Sequence, residues 1–393
     1  MPKIFDRIRE GINYLFIFTC INDNFAVDHF GGASLKIVSA AFILANIQKI
    51  LSYRGMSKRN FPFTCLGVLM LLSLIVNYST YAEGFSRAIS GLVAVFAIFT
   101  ILSREKEPKK YMWAFVVSAL FSSYLCITST ATISEYTLRK TGGTGDPNEF
   151  STTVLIPMFF LMGQLLSPGR LLRKMVYAAA IFIYIVALLY AGSKSAMIAF
   201  GMSFAIYIIY ILRTRGRLKT KIAVCLGVGV LVCAFVYLIN TYYSEYLDFV
   251  VDRFSENSTA GTRFASWQVG WSLFLDKPFL GVGIDNYANM VGMVMPSLDE
   301  AARAPHNMYL QSLTETGIVG FCVFVYSLLT LLYRLWKNRD ASYDMFFAYL
   351  PLLFIGGTLS LLLEKYAWVT IALMHNEHSL SSLLPETADD ENH

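Results

Sequence analysis

The sequence predicts an all-α, polytopic membrane protein of about twelve transmembrane helices, with one large helical loop on its outer face. Three observations predict it. The 393 residues are 55% hydrophobic and 15% charged, against about 25% charged in a soluble domain, and mean hydropathy is +0.52. Apolar runs recur along the chain, most of them near the ~20 residues a spanning helix requires. Basic residues gather in every second connection. This composition excludes an ordinary cytosolic enzyme, a disordered chain, a nucleic-acid binder and a disulfide scaffold.

In order, the runs are Ile12–Ile21, Ser34–Leu51, Phe61–Tyr78, Ala88–Leu102, Tyr111–Thr128, Ser151–Leu166, Met175–Ala191, Ser195–Leu212, Ile222–Asn240, Gly317–Leu332, Met345–Leu363 and Ala367–Met374. The first and last are short. The others tolerate Gly, Pro and β-branched residues, as membrane helices do. The basic start MPKIFDRIRE is followed by no small-residue cleavage site, so the first run reads as a retained anchor. Six cysteines (Cys20, Cys65, Cys126, Cys225, Cys233, Cys322) lie inside apolar runs with no CxxC pair, and read as small packing residues.

Loop charge orients the runs. With the N-terminus inside, the inner connections carry 21 of the 32 Lys and Arg residues, and the outer ones carry 9. Both termini are then expected on the cytoplasmic side. The chain divides into helices 1–9 over residues 1–240, an outer loop over 241–316, helices 10–12 over 317–374 and a polar tail over 375–393. The outer loop holds 76 residues, 4 basic and 9 acidic. Loops of that length are uncommon unless functional. The next longest, Ser129–Phe150, contains TGGTGDPNEF and reads as a turn.

Within the large loop, Thr262 is a candidate helix start. Phe264, Trp267, Trp271, Phe274 and Leu275 then recur at helical spacing. A two-Trp stripe suits a helix lying in the bilayer interface. Arg263 precedes Trp267 by four residues. Its guanidinium there suits a bidentate grip on phosphate, and equally a snorkelling arginine. Asp276-Lys277-Pro278 ends the helix, and Gly281 and Gly283 make a turn. That GxG lacks the strand and third glycine of a dinucleotide site.

Further on, APHNMYLQSLTETGIVG places Pro305 in the first turn of a helix and His306 at its N-terminus. The helix dipole disfavours imidazolium there, so His306 is expected neutral and able to take a proton; a capping or packing role is the alternative. A third position is the tight outer turn AGSKSA. Lys194 sits there between Ser193 and Ser195 at a helix start, a place that favours anions and also suits an interfacial anchor.

The combination of many spans, a large outer loop, R-x-x-x-W…KPFLGVG and HN-x9-GIVG resembles the bacterial O-antigen ligase and polymerase superfamily. His306, Asn307, Gly317 and Gly320 fit the ligase-type H-N-x9-G-x-x-G pattern throughout. The resemblance in organisation covers most of the chain; its specific motifs lie in Gly192–Gly320. It implies a metal-independent membrane glycosyltransferase without a cofactor. Such an enzyme takes a glycan from undecaprenyl diphosphate, which is part of the donor substrate, at the periplasmic face of the bacterial inner membrane. Ligases pass it to lipid A–core, polymerases to another lipid-linked unit, and related oligosaccharyltransferases to a protein hydroxyl. By motif, His306 matches the histidine that activates the acceptor and Arg263 the arginine that neutralises the diphosphate. Lys194 matches a position that is usually Arg; the change retains charge and loses the bidentate fork. Asn307, Ser193, Ser195 and Trp267 are expected to support these groups. No metal or nucleic-acid site is expected, and the expected partners are the lipid-linked donor, the glycan or lipid A–core acceptor and membrane lipid.

A lipid-linked glycan flippase or transporter is the reading from another class. Transport pathways tend to bury ionisable residues at the membrane midplane. Here the runs are nearly free of charge, with Lys36 and Lys49 near the ends of one of them.

Overall fold

The computed structural model describes residues 2–80, 84–129, 139–213, 258–296 and 303–376. Every regular element in them is helical: α1 (Pro2–Ile21), α2 (Asp23–Phe30), α3 (Ala33–Ala45), α4 (Ile47–Leu51), α5 (Phe61–Val76), a 3-10 turn (Tyr78–Thr80), α6 (Phe85–Leu102), α7 (Pro108–Thr128), α8 (Pro147–Leu166), α9 (Leu171–Ala191), α10 (Lys194–Arg213), α11 (Ser258–Asp276), α12 (Tyr287–Val294), α13 (Met308–Lys337), α14 (Arg339–Ile355) and α15 (Lys365–Met374). Six of these, α6 to α10 and α13, are long and apolar enough to cross a membrane, and the bent pair α2–α3 would make a seventh. The expected run Ile222–Asn240 lies outside the described residues.

Several expected runs are interrupted for identifiable reasons. The run Ser34–Leu51 breaks at Asn46, whose side-chain amide donates to Phe42 O (2.9 Å) and to Asn13 Oδ1 (2.7 Å). The run expected to begin at Gly317 is the second part of α13, which starts at Met308 and kinks at Gly317 (φ 68°). His375 and Asn376, expected in a polar tail, are buried. Asn60 Oδ1 lies 3.0 Å from His375 Nε2, Asn376 Nδ2 donates to Leu102 O and Glu105 O, and Arg59 donates to the carbonyls of both residues.

The centre of the bundle is α8. Residues Ser151–Gly163 are buried on all faces, as expected of a helix without a polar side. It packs against α7, α9, α10 and α14, while α13 packs on α5 and α15 on α6. Its Ser151, Thr152 and Thr153 hydroxyls donate back to carbonyls one turn earlier, so burial leaves them satisfied.

The helices run alternately between two ends. At one end Met308 N donates to Gly356 O (2.7 Å) and Lys277 Nζ to Asn77 Oδ1 (2.7 Å). This end gathers the N-termini of α6, α8, α10, α13 and α15 and the C-terminus of α5. At the other end lie Glu105, Lys49, Lys109 and Asp344. The last crossing is unusual. Gly356–Glu364 is irregular, and only then does the ten-residue α15 begin. Ten residues rise about 15 Å, whereas the neighbouring α6 has 18. Half of this crossing is therefore non-helical. Such backbone is tolerated at membrane depth where protein buries it or where it lines a cavity.

Candidate functional site

α11 presents two faces. Val269 and Leu273 are buried against Tyr287 and Val291 of α12. Phe264, Trp271 and Leu275 are exposed, as is Phe279 just beyond the helix end. An exposed apolar row of this kind suits a bilayer interface. The helix begins at Ser258, four residues before Thr262, and ends at Asp276 as the DKP sequence predicts.

Between the two faces, α11 holds the segment that leads to His306. Trp267 Nε1 donates to Pro305 O at 2.6 Å, and Ser266 Oγ lies 3.4 Å from both Arg303 O and Ala304 O. Tyr287 donates its hydroxyl to Ser266 O at 2.8 Å; burial pushes that phenol up to about 12, so it stays protonated. Arg263 is half-buried one turn before Trp267, with its Nε shielded from solvent. The helical repeat places Arg263 on the same stripe as Trp267, and Trp267 holds the chain entering His306.

His306 sits at φ 44°, the left-handed region, which a non-glycine residue adopts at a cost of about 1–3 kcal/mol. It is held there from both sides. Its backbone N donates to Ser360 Oγ (3.0 Å), and Asn307 caps α13 by accepting from Tyr309 N (3.0 Å) and Leu310 N (3.1 Å). Pro305 consequently lies before the helix rather than in its first turn: the helical turn begins only after the Asn307 cap.

The two glycine motifs meet each other. Gly317 interrupts α13, and the carbonyls of Thr314 and Glu315 accept instead from Val282 N (2.9 Å) and Gly283 N (3.1 Å), while Ile318 N donates to Pro278 O (2.7 Å). Gly281 (φ 69°) and Gly317 (φ 68°) both use backbone that glycine reaches readily. A Cβ at Gly317 would run into Phe279, and one at Gly281 into Glu315. KPFLGVG and GIVG are therefore the two halves of one joint, clamped by Ser73 Oγ on Leu280 O (2.7 Å) and Glu315 O (2.5 Å).

The third region is the turn between α9 and α10. Gly192 closes α9 in the left-handed region (φ 56°). Ser193 Oγ donates to Asn148 Oδ1 (2.8 Å) and accepts from Ala196 N (3.3 Å). Lys194 is half-buried, and Ser193 and Ser195 are buried. Arg139 joins them, donating from Nη2 to Asn148 Oδ1 (3.0 Å) and from Nε to Ala191 O (3.0 Å). Its neighbour Lys140 covers the Tyr190 ring at 4.5 Å. In the sequence alone Arg139 is one loop charge among others; the available signal is the basic pair Arg139-Lys140 ahead of TGGTG.

α11 thus ties Trp267 to the chain that leads into His306 and Asn307, with Arg263 one turn earlier on the same helix, and Ser193, Lys194 and Ser195 form a separate turn. The two groups share one end of the bundle. Asn148, which holds Ser193, lies in the first turn of α8 beside Glu149, which lines a cavity with Glu364. Ser360, which holds His306, is four residues before Glu364.

Residues 179–325 match the O-antigen ligase family, a range that takes in the Ser193 turn, α11, His306 and the Gly317 joint. The ComP-specific O-oligosaccharyltransferase of Acinetobacter baylyi is 23% identical over 300 residues, covering 71% of this chain and 53% of the relative. Both findings are likenesses to the O-antigen ligase superfamily, the first over a little more than a third of the chain. The chain spans about half the length of that curated relative. The matched range includes the Ser193 turn and the chain around His306, both at the end of the bundle where several helix N-termini favour anionic ligands.

Proposed function

We propose that the chain is a ligase-type glycosyltransferase that moves a glycan from undecaprenyl diphosphate to a lipid A–core acceptor. The His306 end faces the periplasm, and the opposite end, with both termini, faces the cytoplasm of a bacterial inner membrane. The observation that supports the reading is the Trp267–Pro305 hydrogen bond, which ties the helix bearing Arg263 to the residue before His306, whose own backbone is at positive φ.

The chemistry is a single inverting displacement without a metal. The acceptor oxygen bonds to the anomeric carbon as the bond from that carbon to the diphosphate oxygen breaks. The electron pair leaves on the diphosphate, and the acceptor proton passes to His306. Arg263, with Lys194 and Arg139 at the neighbouring helix start, stabilises the growing negative charge; fixed cations aimed at developing charge usually contribute most to lowering such a barrier. Asn307 caps the helix that presents His306, and Ser193 and Ser195 line the small-residue turn beside Lys194.

A second reading of the acceptor is favoured by the relative, an O-oligosaccharyltransferase: the same donor chemistry would deliver the glycan to a protein hydroxyl. Polymerisation onto a second lipid-linked unit is the third. One experiment separates them. The purified protein in lipid nanodiscs receives undecaprenyl-diphosphate glycan with lipid A–core, a second donor molecule or a protein bearing exposed Ser and Thr hydroxyls as acceptor. Transfer to lipid A–core is expected. Arg263→Ala should reduce it about 10²–10³-fold, and Arg263→Lys less. Transfer to none of the acceptors would overturn the reading.

A further inference from the structure

At the His306 end, a cavity of about 240 Å³ opens where Gly356–Glu364 interrupts the last crossing. Its walls carry carboxyls from four separate segments: Asp23 at the start of α2, Glu149 in the first turn of α8, Asp285 before α12 and Glu364 before α15. Two cations line it as well. Arg87 Nε lies 2.7 Å from Asp285 Oδ2, and Lys365 stands among the remaining three carboxyls. Asp285 is, with His306, one of two non-glycine residues at positive φ among the described residues.

A separate observation indicates a ligand. Tyr366 lines the same wall and is 3% exposed, yet its hydroxyl is buried with no hydrogen-bond partner among the described residues. A buried hydroxyl left unpaired is costly, and a phenol both donates and accepts. The cavity reaches in as far as Gly91, the seventh residue of α6.

The lining selects the ligand class. Excess carboxyl repels an anion, so the donor diphosphate belongs with the cations around Arg263 and Lys194. Among the described residues, no three His, Cys, Asp or Glu side chains converge to hold a metal ion. An uncharged ligand bearing several hydroxyls fits this lining, since carboxyl oxygens accept from hydroxyls. At ~30 Å³ per liquid water the cavity holds about eight waters' worth, the scale of one sugar residue rather than of a chain. Ser360, which pins His306, and Glu364, which lines the cavity, belong to the same irregular segment.

We propose that this cavity is the acceptor subsite: it binds the terminal sugar of the acceptor glycan, whose hydroxyls donate to Glu149, Glu364 and Asp23 and pair with the Tyr366 hydroxyl. The proposal rests on the glycosyltransferase reading above.

The test uses the full chain in nanodiscs and saturation-transfer NMR. The probes are methyl α-glucoside and methyl β-N-acetylglucosaminide, with inorganic diphosphate as the anionic probe. Wild type should transfer saturation to sugar ring protons. Tyr366→Phe, which removes only the hydroxyl, and Glu364→Gln should each weaken that signal about 3- to 10-fold, and diphosphate should not compete. In the transfer assay, Tyr366→Phe should raise the acceptor KM by a similar factor and leave the donor KM unchanged. Sugar signals equal in wild type and Tyr366→Phe, or displaced by diphosphate, would overturn the proposal. Tyr366-dependent sugar binding in a protein that transfers nothing would break the transferase reading and leave the sugar site standing. Transfer with an acceptor KM indifferent to Tyr366 would break the sugar site and leave the transferase.

Discussion

The two ends of the bundle treat charge differently. At the end away from His306, each buried acid has its partner. Glu105 lies 2.5 Å from Lys49 Nζ and accepts from Asn13 Nδ2 (2.9 Å), and Asp344 lies 2.7 Å from Lys109 Nζ and accepts from Gln164 Nε2 (2.6 Å). No described residue around them sits at positive φ, although α14 kinks at Ser342, two residues before Asp344. At the His306 end, four carboxyls from distant segments surround a cavity, two non-glycine residues sit at positive φ, one helix is broken at Gly317, and one crossing is half irregular. Matched charge holds helices together; unmatched polar groups and strained backbone belong where a ligand completes the structure.

The contrast predicts that losing a charge partner at the far end acts on stability alone, and that losing a polar contact at the His306 end acts first on rate, loss of a helix cap being the exception. The largest effect is expected for Glu105→Gln, which strips a buried ammonium of its counter-charge. Thermal unfolding in detergent should show a loss of about 3–5 kcal/mol, with the transfer rate per folded molecule unchanged. Next is Trp267→Phe. Losing the bond to Pro305 O displaces His306 and should lower kcat about 10- to 100-fold, with little change in melting temperature. Asn307→Ala removes the α13 cap and should destabilise by about 0.5–2 kcal/mol, read by the same melt.

The sequence made the long helices legible because bilayers impose long apolar runs. It also made α11 legible, since Phe264, Trp267 and Trp271 share one helical stripe. The joint between KPFLGVG and GIVG was legible only as two motifs, because its hydrogen bonds link residues more than thirty positions apart. Arg139 stayed hidden for the same reason: Ala191 O, its partner, is 52 residues away. The cavity carboxyls come from four segments, and no local pattern marks Asp23 as a neighbour of Glu364. His375 and Asn376 read as tail because they are polar, yet α6 and the Arg59 side chain offer them partners that only the fold supplies.

The central claim is that His306 takes the acceptor proton, and the most direct measurement is the initial transfer rate of His306→Ala in nanodiscs beside wild type. Loss of the base should lower the rate about 10²–10⁴-fold, with an unchanged far-UV spectrum and a monodisperse profile showing that the protein is folded. A folded His306→Ala protein transferring glycan at the wild-type rate would contradict it.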